Sequence, residues 1–265
     1  MNISRTPETV KTRHTEMRGL FVTGTDTNVG KTLVAGALAA AARHSGARVG
    51  VFKPCESGCE KPDGSLQAHD ADFLQRMSGS SASPELICPY RLREPLAPAV
   101  AAEREHLTIS TDHIQEVFQT LCGDCDTMIV EGAGGLLVPM ADGVLTLDII
   151  RQLALPVLIV ARLSLGTINH CLLTIRQIQS AGLPLTGIVF SRTLPQDTTA
   201  EQTNPAILQR YTNAPVLGCL PFLSPAEQQN PGTLANIAQR SLHLNRILPG
   251  VFNKATDAKI KSDIF

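Results

Sequence analysis

The sequence has no excess of charge and no apolar run long enough to span a bilayer. Lysine and arginine together number 23 against 24 aspartates and glutamates, so the formal net charge is −1. This balance gives no indication of a nucleic-acid-binding or membrane-binding surface. The longest unbroken apolar stretch, Leu153 to Ala161, contains Pro156 and is too short for a transmembrane helix. We therefore expect neither a nucleic-acid partner nor a membrane association.

The sequence also lacks an export signal and an even set of cysteines. Residues 1–18 have no apolar core of the signal-peptide type, and their glutamates are untypical of a transit peptide. We expect a disordered extension there and a polar tail over residues 245–265. Seven cysteines is an odd number, which favours reduced thiols and a cytoplasmic protein. A redox or zinc role for the C-x-x-C of Cys122 and Cys125 is the weaker interpretation, because the motif does not open a helix.

The stretch from Gly19 to Thr32, GLFVTGTDTNVGKT, carries the strongest signal. A short apolar run leads into a polar loop that ends in Gly-Lys-Thr, and an alanine- and leucine-rich segment follows. This is the strand, loop and helix of a phosphate-binding loop, although Thr25 stands where the strict pattern has its first glycine. Backbone N–H groups and the helix N-terminus form an anion cradle. Lys31 would reach the β/γ-phosphates and the Thr32 hydroxyl would ligate Mg²⁺, so we predict a bound nucleoside triphosphate.

Apolar strands alternate with helices along the rest of the chain. This pattern predicts a parallel sheet covered by helices on both faces, in a single α/β domain over residues 19–244 that resembles P-loop NTPases. Residues 79–110 look irregular, with one short strand, and the helix after them is predicted to begin with Thr111 as its N-cap. The predicted strands lie at Leu20–Val22, Ala47–Pro54, Asp126–Gly135, Pro156–Leu163, Leu185–Arg192 and Ala214–Phe222.

Charged residues stand where the predicted strands end, and ligands of such sheets bind at that edge. Lys53 ends the second strand, where it could stabilise negative charge during phosphoryl transfer. Glu131 ends the third strand before a glycine-rich loop, a position suited to Mg²⁺. Asp70 begins a helix and is either a metal ligand or an N-cap. Gly166–Asn169 precedes another helix, and its free N–H groups would suit a substrate carboxylate.

Several motifs in order resemble those of the dethiobiotin synthetase family, across about Gly19 to Phe222. The combination of the second, fourth and fifth motifs in one short chain is more specific than the phosphate loop alone. The motifs are VTGTDTNVGKT (Val22–Thr32), KPCESG (Lys53–Gly58), HDA (His69–Ala71), VEGAGGLLVP (Val130–Pro139), GTINH (Gly166–His170) and GLPLTGIV (Gly182–Val189).

The resemblance implies an ATP- and Mg²⁺-dependent ligase of biotin synthesis. CO₂ would add to an amine of 7,8-diaminononanoate (7,8-diaminopelargonate) to give a carbamate. ATP would phosphorylate the carbamate to a carbamic–phosphoric anhydride, and the second amine would close the ring of dethiobiotin, releasing ADP and phosphate. The resemblance also implies a homodimer in which the substrate carboxylate binds at the interface.

The resemblance assigns roles to particular residues of this chain. The lysines Lys31 and Lys53, with Thr32, match catalytic positions. The Mg²⁺ positions are Thr32, Asp70 and Glu131. The substrate positions are Ser57, Thr167, Ile168 and Asn169. The nucleotide positions are Asn28, Val29, Gly30, Lys31, Thr32, Leu33, Asp70, Glu131, Gly132, Ala133, Gly134, Ser191, Arg192, Pro221, Phe222 and Leu223.

Ser191 departs from the family, which often has an asparagine there that reads the adenine, and this leaves the choice of nucleotide open. Two alternatives also remain. A cobyrinic-acid-type amidoligase shares a similar loop, but we expect no glutaminase domain after the sixth strand. A switch ATPase of the septum-positioning or partitioning type is related by fold, but Asp26 stands where that class has an extra lysine.

Overall fold

The computed structural model of the protein describes residues 18–61, 64–195 and 198–252. Most of the two predicted extensions, residues 1–17 and 253–265, lies outside the described residues. Among the helices in the described ranges, none is both long and apolar enough to cross a membrane. The strands are β1 (Gly19–Gly24), β2 (Val49–Phe52), β3 (Cys55–Ser57), β4 (Tyr90–Leu92), β5 (Thr127–Gly135), β6 (Pro139–Ala141), β7 (Val144–Leu145), β8 (Val157–Arg162), β9 (Leu185–Ser191) and β10 (Val216–Leu220). The helices are α1 (Lys31–His44), α2 (His69–Ser78), α3 (Pro84–Ile87), α4 (Pro98–Arg104), α5 (Thr111–Cys122), α6 (Thr146–Leu153), α7 (Thr167–Ser180), α8 (Thr199–Gln209), α9 (Pro225–Gln229), α10 (Pro231–Ser241) and α11 (Leu244–Ile247).

Six strands form one parallel sheet in the order β2, β5, β1, β8, β9, β10. Side chains of a strand point alternately to the two faces, so Leu20 and Val22 enter one core and Phe21 the other. Helices α1, α2 and α10 contribute to the first core, whereas α5, α6 and α7 contribute to the second. The predicted single α/β domain with a parallel sheet is confirmed, and its six strands are the six that the sequence predicts.

The order of the strands brings the predicted site residues together. β1 lies between β5 and β8, and β2 pairs with β5. All these strands run in the same direction, so the loop after β1, Lys53 after β2 and Glu131 near the end of β5 lie at one edge of the sheet. The C-terminal ends of β9 and β10 continue the same edge on the other side.

The segment over residues 79–110 is more regular than the sequence predicts. It holds α3, β4 and α4, and β4 pairs in parallel with β3 in a separate two-stranded sheet. These elements are three to seven residues long, too short to produce a readable periodicity. The predicted N-cap Thr111 is also wrong by one residue. Ser110 caps α5, and its Oγ accepts a hydrogen bond from the backbone N–H of His113 at 3.2 Å.

The packed domain continues beyond residue 244, where the sequence predicts a polar tail. Helix α11 follows directly, and the side chains of Ile247, Leu248 and Phe252 are buried in the first core. Arg18, at the other end of the described chain, donates a hydrogen bond from Nη1 to the carbonyl oxygen of Gly250 at 2.9 Å. The packed domain therefore extends at least to Phe252, because apolar residues between positions 244 and 252 are buried in the first core.

Candidate active site

A cleft of about 720 Å³ lies at the C-terminal edge of the sheet. The loop after β1 and the first turn of α1 line it, together with residues 53–57, the end of β5, the segments that follow β9 and β10, and residues of α2 and α9. Most of the residues that the sequence predicts for the site therefore come together in one place. The predicted residues that line the cleft are Asn28, Gly30, Lys31, Thr32, Leu33, Lys53, Ser57, Asp70, Glu131, Ala133, Gly134, Ser191, Arg192, Phe222 and Leu223.

A smaller group of the predicted residues does not line the cleft. Val29 is fully buried, and Gly132 and Pro221 are chain neighbours of residues that do line it. The three residues predicted for the substrate carboxylate, Thr167, Ile168 and Asn169, form the start of α7. Because α7 follows β8, which pairs with β1, its N-terminus lies at the same edge of the sheet but outside the cleft.

The phosphate loop joins β1 to α1 over residues 25–30. Gly30 is the N-cap of α1 and has a φ of 93°, a conformation that favours glycine. Any side chain at this position would also collide with Ser191, which packs directly against it. No side chain caps α1, and its first turn holds no acidic residue. The positive end of the helix dipole is therefore left for an anion.

Lys31 is the first residue of α1 and its side chain is largely buried beside the loop. Its ammonium donates a hydrogen bond to the backbone carbonyl oxygen of Asp26 at 2.9 Å. Burial lowers the pKa of Lys31 to about 8, although the nearby Glu131 opposes this shift. A bound phosphate would add the counter-charge that this desolvated ammonium needs.

Lys53 lies at the centre of a group of charges. Its ammonium is 2.7 Å from Oε1 of Glu131 and 2.9 Å from Oδ2 of Asp70. The hydroxyl of Thr32 donates a hydrogen bond to the same Oε1 atom at 2.8 Å. Lys53 and Glu131 are buried, whereas Asp70 is partly open to solvent. Residues from the phosphate loop, from two strand ends and from α2 thus converge on one point.

The electrostatics of this group keep the lysine charged. Burial disfavours the ammonium of Lys53, but the charges of Glu131 and Asp70 outweigh it and raise the pKa of Lys53 above its usual value. Burial likewise opposes ionisation of Asp70, and the Lys53 ammonium outweighs it, so the pKa of Asp70 is lowered. For Glu131 burial dominates, and its pKa is raised. Lys53 is therefore a fixed positive charge at neutral pH.

The oxygen atoms around Lys53 fit a magnesium ion. The second carboxylate oxygen of Glu131, Oε2, is buried and has no hydrogen-bond partner. Two carboxylates and the Thr32 hydroxyl are hard oxygen ligands, and Mg²⁺ usually takes one or two carboxylates together with waters and phosphate oxygens. Within the described part of the chain, no group of three or more His, Cys, Asp and Glu side chains could hold a metal ion by itself. The donor set suits a metal that arrives with a nucleotide.

Glu56 is a site residue that the sequence analysis missed. Its buried carboxylate accepts hydrogen bonds from the backbone N–H groups of Asp70 at 2.9 Å and Ala71 at 3.0 Å. Burial, and then the charge of Asp70, raises the pKa of Glu56 to about 7. The N-cap position of α2 is Ala68, so the alternative role of Asp70 as N-cap is wrong. The one signal was an acidic residue inside KPCESG, between Lys53 and Ser57.

The far end of the cleft is formed by β9, β10, α2 and α9. Ser191 is buried there, and its Oγ atom has no hydrogen-bond partner. Arg76 of α2 donates a hydrogen bond from Nη2 to Oε1 of Gln229 at 2.9 Å, which joins α2 to α9. Gln228 also lines this end of the cleft. Nothing in the sequence pattern singled out Arg76 or the two glutamines, because these contacts join distant segments.

Comparison with solved structures identifies the class of the fold. A ParA family ATPase from Chlorobium tepidum superposes with a TM-score of 0.52 at 12% identity, covering 89% of this chain and 98% of that one. The MinC:MinD cell division protein complex of Aquifex aeolicus gives 0.50 at 12% identity, covering 84% and 95%. Together with the loop before α1, these similarities define a P-loop NTPase fold.

Comparison of sequences identifies the family within that class. A family model described as an AAA domain matches residues 18–230. The ATP-dependent dethiobiotin synthetase BioD of Anaeromyxobacter dehalogenans is 45% identical over 206 residues, covering 78% of this chain and 91% of the relative. The protein of the same name from Bacillus subtilis is 40% identical over 210 residues, covering 78% and 89%. The chain belongs to the dethiobiotin synthetase family.

Proposed function

We propose that this chain is an ATP-dependent ligase that makes dethiobiotin from 7,8-diaminononanoate and CO₂. The observation that carries the proposal is the second lysine of the cleft. Lys53 is a buried ammonium held between Asp70 and Glu131, a short distance from the phosphate loop and Lys31. Two ammonium groups in one desolvated cleft suit a reaction in which a triphosphate meets a second anion, the carbamate. The relatives supply the identity of the diamine.

The nucleotide would bind along the phosphate loop. The backbone N–H groups of the loop and of the first turn of α1 would hold the phosphates, and Lys31 would contact the phosphoryl group that is transferred. Thr32, Asp70 and Glu131 would hold Mg²⁺, which when bound neutralises charge on the phosphate oxygens. The orphaned Oε2 atom of Glu131 supports this assignment.

The reaction would proceed in three steps. An amine nitrogen of the diamine attacks the carbon of CO₂ and loses a proton, which gives the carbamate. A carbamate oxygen then attacks the γ-phosphorus, and the bond from that phosphorus to the oxygen of the leaving ADP breaks. The second amine attacks the carbonyl carbon of the mixed anhydride, loses a proton and expels phosphate as the ring closes. Lys53 would stabilise the carbamate, and Lys31 the phosphoryl oxygens.

We further propose that the substrate site is completed by a second copy of the chain. Ser57 lines the cleft, but the start of α7 at Thr167, Ile168 and Asn169 lies outside it. The N–H of Thr167 donates to the carbonyl oxygen of Ser164 at 3.2 Å, so the N–H groups of Ile168 and Asn169 are the ones that would hold a carboxylate. No acidic residue or side-chain cap blocks that helix start, which suits the substrate carboxylate. Leu165 and Leu173 beside it are 88% and 60% exposed, an apolar character that an interface would cover. A homodimer would bring one copy's α7 to the other copy's cleft.

A cytoplasmic location fits the cysteine chemistry. All seven cysteines are free thiols, which suits a reducing compartment. We also propose that ATP is the natural nucleotide, as in the names of the relatives. Ser191 in place of an asparagine predicts that other triphosphates are accepted as well.

The test is phosphate release by the purified protein with MgATP and bicarbonate, with and without 7,8-diaminononanoate. We expect release to depend strongly on the diamine, and a ureido product of the mass of dethiobiotin to accumulate. ATP hydrolysis that is indifferent to the diamine would overturn the proposal and favour a switch ATPase. Repeating the assay with CTP and GTP measures the nucleotide preference.

A further inference from the structure

Helix α2 is capped by a side chain from another element. The first N–H groups of a helix have no partner within the helix, and an N-cap side chain normally satisfies one of them. In α2 the N-cap residue is Ala68, which has no such side chain. Glu56 of β3, 14 and 15 residues away in sequence, accepts from the N–H groups of Asp70 and Ala71 with one carboxylate oxygen each.

Capping α2 with the buried carboxylate of Glu56 is unfavourable if the stability of the fold is the only consideration. Glu56 is only 7% exposed, and its carboxylate lies near that of Asp70, which it repels when both are charged. A serine, threonine or asparagine at position 68 would cap the helix without burying a charge. The position of Glu56 therefore points to a role other than helix stability.

We propose that Glu56 is a positioning residue that fixes Asp70 opposite Lys53 and Glu131. Contacts connect Lys53 to Asp70 and Asp70 to Glu56, and the chain connects Glu56 back to Lys53. Lys53 contacts the Asp70 side chain at 2.9 Å, the Asp70 backbone N–H contacts Glu56, and Glu56 lies three residues after Lys53 in the same segment. The proposal rests on the proposed function in one respect, because it takes Asp70 to be a ligand of Mg²⁺.

The rest of α2 is held in a different way. Phe73, Leu74 and Met77 pack in the first core, and they fix the axis of the helix against α1. Ala71 also packs in this core, but only through its small methyl group, and the large apolar side chains all follow it in the sequence. Loss of Glu56 would therefore loosen the backbone at Asp70, while the helix itself stays in place.

The experiment compares Glu56→Ala and Glu56→Gln with a matched control, Glu201→Ala, in the full-length protein. Glu201 is also 7% exposed. Its carboxylate accepts a hydrogen bond from the backbone N–H of Thr198 at 3.3 Å at the start of α8, outside the cleft. Three quantities are measured: amide hydrogen exchange at Asp70 and Ala71, the Mg²⁺ concentration that half-saturates ADP binding, and the thermal midpoint.

We expect Glu56→Ala to speed exchange at the two amides at least tenfold and to raise the half-saturating Mg²⁺ concentration at least tenfold. Glu56→Gln should give smaller shifts, because its amide oxygen can accept from one N–H group while its NH₂ faces the other. Glu201→Ala should lower the thermal midpoint and leave the other two quantities within twofold of the wild type.

Two results would overturn the inference. In one, the Glu56 variants lower the thermal midpoint as Glu201→Ala does but leave exchange and Mg²⁺ dependence unchanged, so Glu56 is a structural cap. In the other, ADP binding by the wild type does not depend on Mg²⁺, which removes the role given to Asp70. None of the three measurements uses the diamine, so failure of diamine-dependent turnover would reject the proposed function without deciding the role of Glu56.

Discussion

At the scale of single residues, the cleft is organised by Lys53. The ammonium of Lys53 pairs with one oxygen each of Asp70 and Glu131. The charges of these two carboxylates keep the lysine protonated although it is buried. Removing one partner of such a group leaves the others buried without compensation, which is more damaging than the loss of one contact. Variants at this position therefore report on both chemistry and stability.

Lys53→Ala should leave nucleotide binding nearly intact and almost abolish turnover. The phosphate loop and Lys31 remain, whereas the charge that would stabilise the carbamate and the transferring phosphoryl group is lost. Removal of one such group typically lowers kcat by about 10²–10³-fold. Steady-state kinetics and calorimetry of MgADP binding measure the two effects. Lys61→Ala, an exposed lysine in the loop after β3, is the control, and near-normal turnover of Lys53→Ala would contradict the role given to it.

Glu131→Ala should abolish the dependence of nucleotide binding on Mg²⁺. The variant removes Oε2, the buried oxygen without a partner, together with the acceptor of the Thr32 and Lys53 hydrogen bonds. Titration of ADP binding against Mg²⁺ measures the effect. Glu85→Ala, whose side chain is exposed beside Arg91, is the control. A Mg²⁺ titration identical to that of the wild type would show that Glu131 is not a ligand.

The sequence correctly predicts the place of those cleft residues that belong to a local motif or to a strand end. Lys31 and Thr32 follow from a loop motif, and Lys53 and Glu131 follow from their positions at strand ends. Glu56 and Arg76 were missed because their roles depend on contacts with residues 14 and 153 positions away. No local pattern encodes such contacts.

At the scale of elements, the position of the phosphate loop depends on how α1 packs. Gly36 of α1 faces the ring of Phe73 in α2, and a methyl group there would overlap the ring. This close contact holds the helix that carries Lys31 and Thr32 against the helix that carries Asp70. The glycine is therefore a packing requirement in the middle of a helix, where glycine is otherwise unfavourable.

Gly36→Ala should lower the free energy of unfolding by about 1–3 kcal/mol, the usual effect of overpacking a core. Gly123→Ala is the control, because it adds the same methyl group at a φ of −63°, where the new Cβ would lie 3.4 Å from the Thr120 carbonyl oxygen, an ordinary contact distance. It should be neutral or stabilising by about 0.5 kcal/mol. Urea unfolding measures both, and equal stabilities would contradict the proposed contact.

The elements that the sequence predicted well are those with a strong pattern. The six sheet strands are near-continuous apolar runs, and α5 has a clear apolar face at Ile114, Val117, Phe118 and Leu121. Helices α3 and α4 were missed because each is too short to repeat its pattern, and β4 was predicted only as one short strand without bounds, for the same reason. Helix α11 was missed because its apolar residues lie in a polar stretch, and only burial against the first core distinguishes them.

At the scale of the whole molecule, the sheet divides the interior into two cores that share every strand. The order β2, β5, β1, β8, β9, β10 places the strand before the phosphate loop near the middle. The alternation of strands and helices predicts a parallel sheet, but many strand orders are consistent with it. The strand order depends on which apolar faces of strands and helices pack against each other, and these faces are formed by residues from the whole chain.

Buried thiols predict a loss of stability at alkaline pH. Burial raises the pKa of Cys171 from 9.0 to about 11, in spite of its contact with Thr167. As the pH rises, the thiol ionises in the unfolded chain before it ionises in the folded one. The contribution of Cys171 to the free energy of unfolding is therefore fully present below pH 9 and is lost as the pH rises from 9 to about 11. One unit of pKa shift corresponds to about 1.4 kcal/mol, and we expect a loss of about 1 kcal/mol between pH 8 and pH 10.

Cys171→Ala isolates this contribution. Alanine does not ionise, so the difference in stability between wild type and variant should narrow by about 1 kcal/mol from pH 8 to pH 10. Ile175→Val, a substitution of a buried residue one turn further along α7, should lower the free energy of unfolding by the same amount at pH 8 and at pH 10. Urea unfolding in the presence of a reductant measures the differences. A pH-independent difference for Cys171→Ala would contradict the raised pKa.

The contact between Ser191 and Gly30 restricts how this protein can evolve. Position 191 ends β9 at the far part of the cleft, and its side chain presses against the backbone of the phosphate loop. Any side chain at position 30 would collide with that of Ser191, so the glycine is required by the strand end as well as by its own φ of 93°. Positions 30 and 191 are therefore coupled in evolution, because the residue that ends β9 keeps its place only as long as the phosphate loop keeps a glycine.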